Sequence, residues 1–205
     1  MKALDLFCCG GGAGMGLHLA GFEVTGVDIL PQPKYPFKFI QADATTFDCS
    51  VFDFIWASPP CQAFTRARKL QGNVHQDLIE VTRQLLKKSS KPYVIENVVG
   101  APLLNPVMLC GSMFPNLMTY RHRIFESNFK IEPPKNCDHK LKQAKMGRPV
   151  GADEFIQVVG HFSNVPLAQK AMGIDWLGQK HLAQAIPPAY SKHIAECYLK
   201  TKKSV

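Results

Sequence analysis

No apolar run in the chain approaches the roughly 20 residues that a membrane-spanning helix needs, and the one early apolar stretch is broken by Gly10, Gly11 and Gly12. A secretory leader is not expected either, because Asp5 and those glycines interrupt any apolar segment such a leader would use. The seven cysteines are an odd number and lack the spacing of a disulfide framework, so reduced thiols in a cytosol are expected. Internal repeats and low-complexity tracts are missing, as is the G-x-G-x-x-G spacing of a dinucleotide site. So are paired ligands at zinc-finger spacing. Cys137 and His139, with His161 and His181 as further candidates, do not make the paired spacing that a four-ligand structural site wants, and no metal is expected.

What is present suits one globular domain of 205 residues, with 46% hydrophobic and 20% charged residues. A formal net charge of +8 favours a polyanionic partner such as nucleic acid. The first half alternates strand-like with helix-like segments. KALDLF, FEVTGVD, FKFIQAD, FDFIWAS and PYVIENV read as strands. MGLHLA reads as a short helix closed by Gly21, and Asn73–Gln76 resembles a capping box. The helix it opens would bury Val74, Leu78, Ile79, Thr82, Leu85 and Leu86. This alternation predicts an α/β fold with an open, mostly parallel sheet and helices on both faces. RHRIFESNF predicts a further strand near one edge. Residues 130–151 read as a loop or insert, and AYSKHIAECYLK as a helix with Tyr190, Ile194, Cys197 and Tyr198 on one face.

Four stretches carry candidate chemistry. A glycine turn, Cys8 to Gly14, follows the first strand; such turns let backbone approach a ligand and present amides at a helix N-terminus. Asp28 and Asp43 end the next two strands, placed for ribose hydroxyls and an adenine amino group, and an adenosine-type cofactor is expected. In SPPCQAFT, Cys61 leaves a strand end behind Pro59 and Pro60, with Gln62 next. Most single cysteines are packing residues, yet this one sits where open α/β sheets bind ligands, and a thiolate there is a strong nucleophile. Glu96 and Asn97 end another strand, where a carboxyl group can give or take a proton. Arg121 and Arg123, on the same side if extended, suit phosphate or carbonyl oxygens, or form a solvated charge cluster.

In this order, the stretches resemble the cytosine-C5 DNA methyltransferase family. DLFCCGGGAGMGLHLAGF resembles its first motif, ASPPCQAFT its Pro-Cys motif, ENV its Glu-Asn-Val motif, YRHRIFE its Arg-x-Arg motif and LAQAIPPAYSKHIA its last motif. The resemblance implies a Rossmann-like methyltransferase fold and S-adenosylmethionine as cofactor, held by Phe7, Gly10, Gly11, Gly12, Asp28, Asp43 and Pro59. It implies Cys61 as nucleophile, Glu96 at cytosine N3, Arg123 against the base and Arg121 supporting the site. It divides the chain into a core at 1–126, a reduced target-recognition region at 127–183 and a returning helix at 184–205. Three features depart from the family pattern. Cys9 replaces a usual glycine, Ile-Pro-Pro-Ala-Tyr replaces the usual Gly-Asn-Ser/Ala-Val, and the recognition region is short and rich in lysine. Lys130, Lys135, Lys140, Lys142, Lys145 and Arg148 there predict phosphate contacts that position a strand without specifying much sequence. Compact members of the family are common in bacteriophage genomes. The expected substrate is a flipped-out or unpaired cytosine in DNA, handled by a monomer. RNA or a free cytosine nucleotide as substrate, and a catalytically silent DNA-binding relative, stay open as alternatives.

Overall fold

The computed structural model describes residues 1–61, 77–144 and 148–203. Its central sheet has seven strands in the order β3-β2-β1-β4-β5-β7-β6. These are β1 (Lys2–Leu6), β2 (Glu23–Asp28), β3 (Lys38–Gln41), β4 (Phe54–Ala57), β5 (Tyr93–Asn97), β6 (Val107–Leu109) and β7 (Arg123–Ser127). The first five pair in parallel, and β7 runs antiparallel to both its neighbours. Two residues of β8 (Lys142–Gln143) and two of β9 (Glu154–Phe155) make a separate pair. Helices are α1 (Gly12–Leu19), α2 (Ile79–Ser89), α3 (Val165–Met172), α4 (Gln179–Leu182) and α5 (Pro188–Lys203). No helix among the described residues is long and apolar enough to cross a membrane.

The central strands are buried on both faces, so they read as near-continuous apolar runs. In β4, Phe54 and Trp56 face one layer while Ile55 and Ala57 face the other. The first layer is covered by α1 and α5. Tyr190, Ile194 and Tyr198 of α5 are buried, as their helical spacing predicts, and Cys197 is half-buried beside them. The Tyr198 and Phe54 rings lie 5.2 Å apart, and each such aromatic pair contributes about 1 kcal/mol beyond burial. Gly16 permits the close helix contact, because a Cβ there would lie 2.1 Å from the Pro188 carbonyl oxygen and from Ser191 Oγ. Ser191 Oγ donates to the Ala13 carbonyl at 2.8 Å, locking α5 to the first turn of α1.

The opposite layer is covered by α2, whose Ile79, Thr82 and Leu86 are buried. This helix also carries Arg83, which is buried and forks onto Glu126 of β7 with two contacts of 2.8 Å. Arg83 donates in addition to the Pro102 carbonyl, and Glu126 accepts from the Leu104 amide. The capping box at Asn73–Gln76, with Val74, lies outside the described residues, as do Gln62 and Lys145.

Two expectations change in detail. Only Arg123–Ser127 of RHRIFESNF form a strand, and it is the second from the edge; β6, unrecognised in the sequence, is the edge strand. The helices α3 and α4 were also unread, although Asn164 caps α3 through the Leu167 amide and Gly173 closes it at φ +67°. They build a third apolar cluster around Phe162, Ala168, Met172, Leu177 and Leu182.

Candidate active site

The glycine turn leaves β1 through two non-glycine residues in the left-handed region, Phe7 at φ 57° and Cys9 at φ 44°. Such residues are uncommon and cluster where geometry is held by its surroundings. Here the Cys9 amide donates to Asp28 Oδ2 at 3.0 Å, and the Leu30 amide to Asp28 Oδ1 at 3.0 Å. Asp28 thereby joins the β1 and β2 ends. Gly11 then takes φ +80° to begin α1, with a Cβ there meeting Pro36 Cδ at 2.7 Å.

At the carboxyl ends of β1, β2, β4 and β5 lies a cavity of about 280 Å³. Phe7, Gly10, Gly12, Asp28, Pro59, Cys61, Glu96 and Arg123 all line it, so the structure brings together most of the residues singled out in the sequence. Three expected members stand elsewhere. Gly11 faces Tyr35 and Pro36, and its contribution is the turn rather than the wall. Asp43 is exposed and caps its own turn, accepting from the Thr45 amide at 2.8 Å and hydroxyl at 2.7 Å, which holds its carboxyl below the usual range. Arg121 is buried but turned away from the cavity. At φ 30° its backbone is not extended, so the condition under which the two side chains would share one strand face is not met. It donates to the carbonyls of Ala185 at 2.7 Å, Val158 at 2.6 Å and Ala183 at 2.8 Å. Burial, then the charge of Arg123, brings its guanidinium down to about 9.

Cys61 is half-exposed at the end of β4. Its turn is fixed by Asn97, whose Nδ2 donates to the Pro59 carbonyl at 3.0 Å while its Oδ1 accepts from the Val98 amide at 2.9 Å. Burial pushes the Cys61 thiol up; Arg123 and Arg121 pull it down, and Glu96 opposes them. Glu96 is itself buried, with Arg123 Nε 3.0 Å from its Oε1. Its carboxyl is raised by burial despite Arg123 and a hydrogen bond from Ser58. Arg123 also donates to the His122 carbonyl at 2.9 Å. The site thus holds a thiol and a carboxyl group that burial pushes up, with one guanidinium pulling both down.

The far wall comes from the chain's C-terminal quarter. Gln184, Ala185 and Ile186 line the cavity, the Trp176 indole N–H donates to the Gly10 carbonyl at 2.8 Å, and the Cys9 thiol reaches Gln184 Oε1 at 3.7 Å. The stretch that resembles the last motif does return to the glycine turn, although its Ile-Pro-Pro-Ala-Tyr wording is unusual.

Asp5 went unread, hidden in the apolar run KALDLF; a carboxyl inside a buried strand was the available signal. It lines the cavity 1% exposed, with the Tyr35 hydroxyl donating to Oδ2 at 3.1 Å and Oδ1 buried without a hydrogen-bond partner among the described residues. Burial pushes this carboxyl up to about 8. A carboxyl whose folded-state value lies above its unfolded one contributes stability that is fully present below about pH 4 and is lost as pH rises through about 8. The stability advantage of the wild type over Asp5→Asn is therefore expected to shrink by at least about 1 kcal/mol between pH 5 and pH 8. Urea unfolding at the two pH values measures it, and parallel pH dependences would contradict the assignment.

A second cavity, of about 380 Å³, shares Arg123 and is lined also by Arg121, His122, His139 and Gln157.

Comparison with known proteins places this geometry. No curated protein sequence matches the chain. Among solved structures, a prophage-encoded E. coli protein assigned as a DNA modification methyltransferase superposes with a TM-score of 0.72 at 14% identity, covering 99% of each chain. The S. pombe Dnmt2 methyltransferase superposes with a TM-score of 0.61 at 15% identity, over 98% of this chain and 99% of that one. At such identities these likenesses establish the fold, a Rossmann-like methyltransferase sheet. The C-5 cytosine-specific DNA methylase model matches residues 1–105, a little over half the chain, and takes in the glycine turn, Cys61 and Glu96. That match makes this protein a member of the C-5 cytosine-specific DNA methylase family, whose methyl donor is S-adenosylmethionine.

Proposed function

We propose that the protein methylates C5 of cytosine in DNA through a covalent bond between Cys61 and C6 of the base. The observation that carries the proposal is the meeting of Cys61, Glu96 and Arg123 on one cavity wall, facing the glycine turn. Family membership alone supplies S-adenosylmethionine-dependent methylation; this grouping supports the mechanism and the roles.

The cavity suits the cofactor. Asp5 presents a buried, unpartnered oxygen to accept a hydrogen bond from a cationic ligand, Asp28 keeps lone pairs for hydroxyl groups, and Phe7 offers an aromatic face. When bound, S-adenosylmethionine supplies an electrophilic methyl group. Cytosine C5 is a poor nucleophile, so the base must first be activated. Cys61 gives its proton to water and its thiolate adds to C6, while Glu96, whose carboxyl burial raises, passes a proton to N3. C5 then carries enamine character and takes up the methyl group. A water takes the C5 proton, the double bond re-forms as the Cys61 thiolate leaves, and N3 returns its proton to Glu96. Splitting the reaction in this way replaces one difficult step by easier ones. Arg123 holds the Glu96 carboxyl in place and favours the thiolate. The target base must leave the stack to reach Cys61, so a flipped or unpaired cytosine is the substrate form.

In this reading residues 1–126 form the core, 127–183 a reduced recognition region and 184–205 the returning helix, in a monomer. The basic residues of the middle region are partly occupied. Lys130 lies 2.5 Å from Glu132, Lys140 3.0 Å from Asp138 and Arg148 2.5 Å from Glu154. The two lysine pairs are exposed and weak, so phosphates can displace their acids, whereas Arg148 is held more firmly by the half-buried Glu154.

Incubation with S-adenosylmethionine and 5-fluorocytosine oligonucleotides tests the proposal. Fluorine at C5 blocks the final proton loss, so a DNA–protein adduct is expected in the intact-protein mass spectrum and is expected to be absent from Cys61→Ser. An adduct on RNA alone would replace DNA as the substrate. No adduct on either polymer, with cofactor binding demonstrated, would overturn the covalent mechanism on nucleic acid.

A further inference from the structure

Cys110, His122, Cys137 and His139 converge at one point, with their four ligand atoms all within 4.8 Å of one another. The sequence reading had joined His161 and His181 to Cys137 and His139; the fold brings Cys110 and His122 instead. Cys110 follows β6, His122 precedes β7, and Cys137 and His139 arrive from the loop after β7. The pairing is invisible in the sequence because eleven residues separate the first two ligands and a single residue the last two.

We infer that these four side chains form a structural zinc site. Zinc–sulfur bonds of about 2.3 Å and zinc–nitrogen bonds of about 2.0–2.1 Å set tetrahedral edges of about 3.6 Å for sulfur to nitrogen and about 3.4 Å for nitrogen to nitrogen. The corresponding separations here are 3.5 Å from Cys110 Sγ to His139 Nε2, 3.5 Å from Cys137 Sγ to His122 Nε2 and 3.0 Å from Cys137 Sγ to His139 Nε2. His139 Nε2 and His122 Nε2 are 3.1 Å apart. Four lone-pair-bearing atoms turned toward one centre make poor company without a cation between them, since each can offer its neighbours at most one proton. Two sulfurs and two imidazoles are the donor set that zinc favours, and four protein ligands leave no open position, which marks a structural rather than a catalytic site. Outer support is in place as well. Ser112 Oγ donates to Cys110 Sγ at 3.2 Å, lies 3.9 Å from Cys137 Sγ and accepts from the Asp138 amide at 3.1 Å. The Tyr120 ring packs against His139 with centroids 4.1 Å apart. Partners of this kind orient ligands and tune the metal.

The site ties the loop of residues 128–141 to the strand that carries Arg123. Because Arg123 donates to the His122 carbonyl, a metal on the His122 ring also fixes the backbone that aims Arg123 at Glu96. The inference does not depend on the proposed chemistry and stands on the convergence of the four groups.

Elemental analysis of the purified native chain is expected to return about one zinc per chain, reduced in Cys137→Ser and restored in Cys137→His, which keeps a ligand at that position. In case the serine variant fails to fold, Co²⁺ titration of the metal-stripped wild type gives a second readout. Tetrahedral d–d bands with thiolate charge transfer, abolished by added Zn²⁺, are expected. A folded wild type that carries no zinc and develops no such bands would overturn the site. So would zinc retained in full by Cys137→Ser, or an intact mass showing Cys110 and Cys137 joined as a disulfide in the freshly isolated protein.

Discussion

Glu96→Gln is expected to lower turnover by about 10²- to 10⁴-fold, the usual range for losing a positioned proton donor, while making Cys61 more reactive toward alkylating reagents. The two effects run in opposite directions for one electrostatic reason. Glu96 opposes thiolate formation at Cys61, and a neutral glutamine no longer does, so the thiol pKa falls. Glutamine cannot hand a proton to N3, so activation of the base is lost even though the nucleophile improves. Single-turnover methylation and the pH dependence of iodoacetamide labelling measure the two sides. Cofactor affinity is expected to stay close to that of the wild type, which separates this outcome from general damage to the cavity. If turnover and labelling fell together, Glu96 would be holding the site's shape rather than activating the base.

A second large effect is expected at a pair that does not line the cavity. Glu126→Ala leaves Arg83 with only the exposed Glu80 as a carboxylate partner and the Leu104 amide without an acceptor, so a loss of about 3 kcal/mol in unfolding free energy, the low end for breaking a buried pair, is expected. Burial alone would disfavour the Arg83 charge, yet hydrogen bonds and the charge of Glu126 raise its pKa instead. The double variant Arg83→Met with Glu126→Leu is expected to recover part of the loss, because two apolar side chains remove the stranded charge. Recovery stays incomplete, since the Pro102 carbonyl and Leu104 amide both lose a partner. Urea unfolding of the two variants checks this; a single-variant loss below about 1 kcal/mol would mean that water reaches the site and replaces the pair.

The parts of the fold and site legible in the sequence are those written in consecutive residues. Strand alternation gave the parallel half of the sheet, because strands buried on both faces are apolar throughout. The glycine turn and Pro59-Pro60-Cys61 each follow a strand and Glu96-Asn97 end one, and the sheet delivers them to one end without further information. What could not be read depends on contacts between distant segments. Arg121 looked like a partner of Arg123, but its three acceptors are carbonyls at positions 158, 183 and 185, which no local pattern relates to it. Asp43 lies just past the end of β3, and Thr45 binds its Oδ1, so the residue caps its own loop. Cys110 and His122 each look like ordinary packing residues until Cys137 and His139 fold over them.

The Trp176 bond to Gly10, the Ser191 bond to Ala13 and the Arg121 clasp on Ala183 and Ala185 also bear on how the protein comes into being. Synthesis runs from N- to C-terminus, so the glycine turn leaves the ribosome well before the residues that wall it in, which lie more than 160 positions further along the chain. Until residues 176–191 emerge, the half-cavity stands open with Cys61 and Glu96 already in place. A product cut before residue 176 would keep both side chains and lack the far wall.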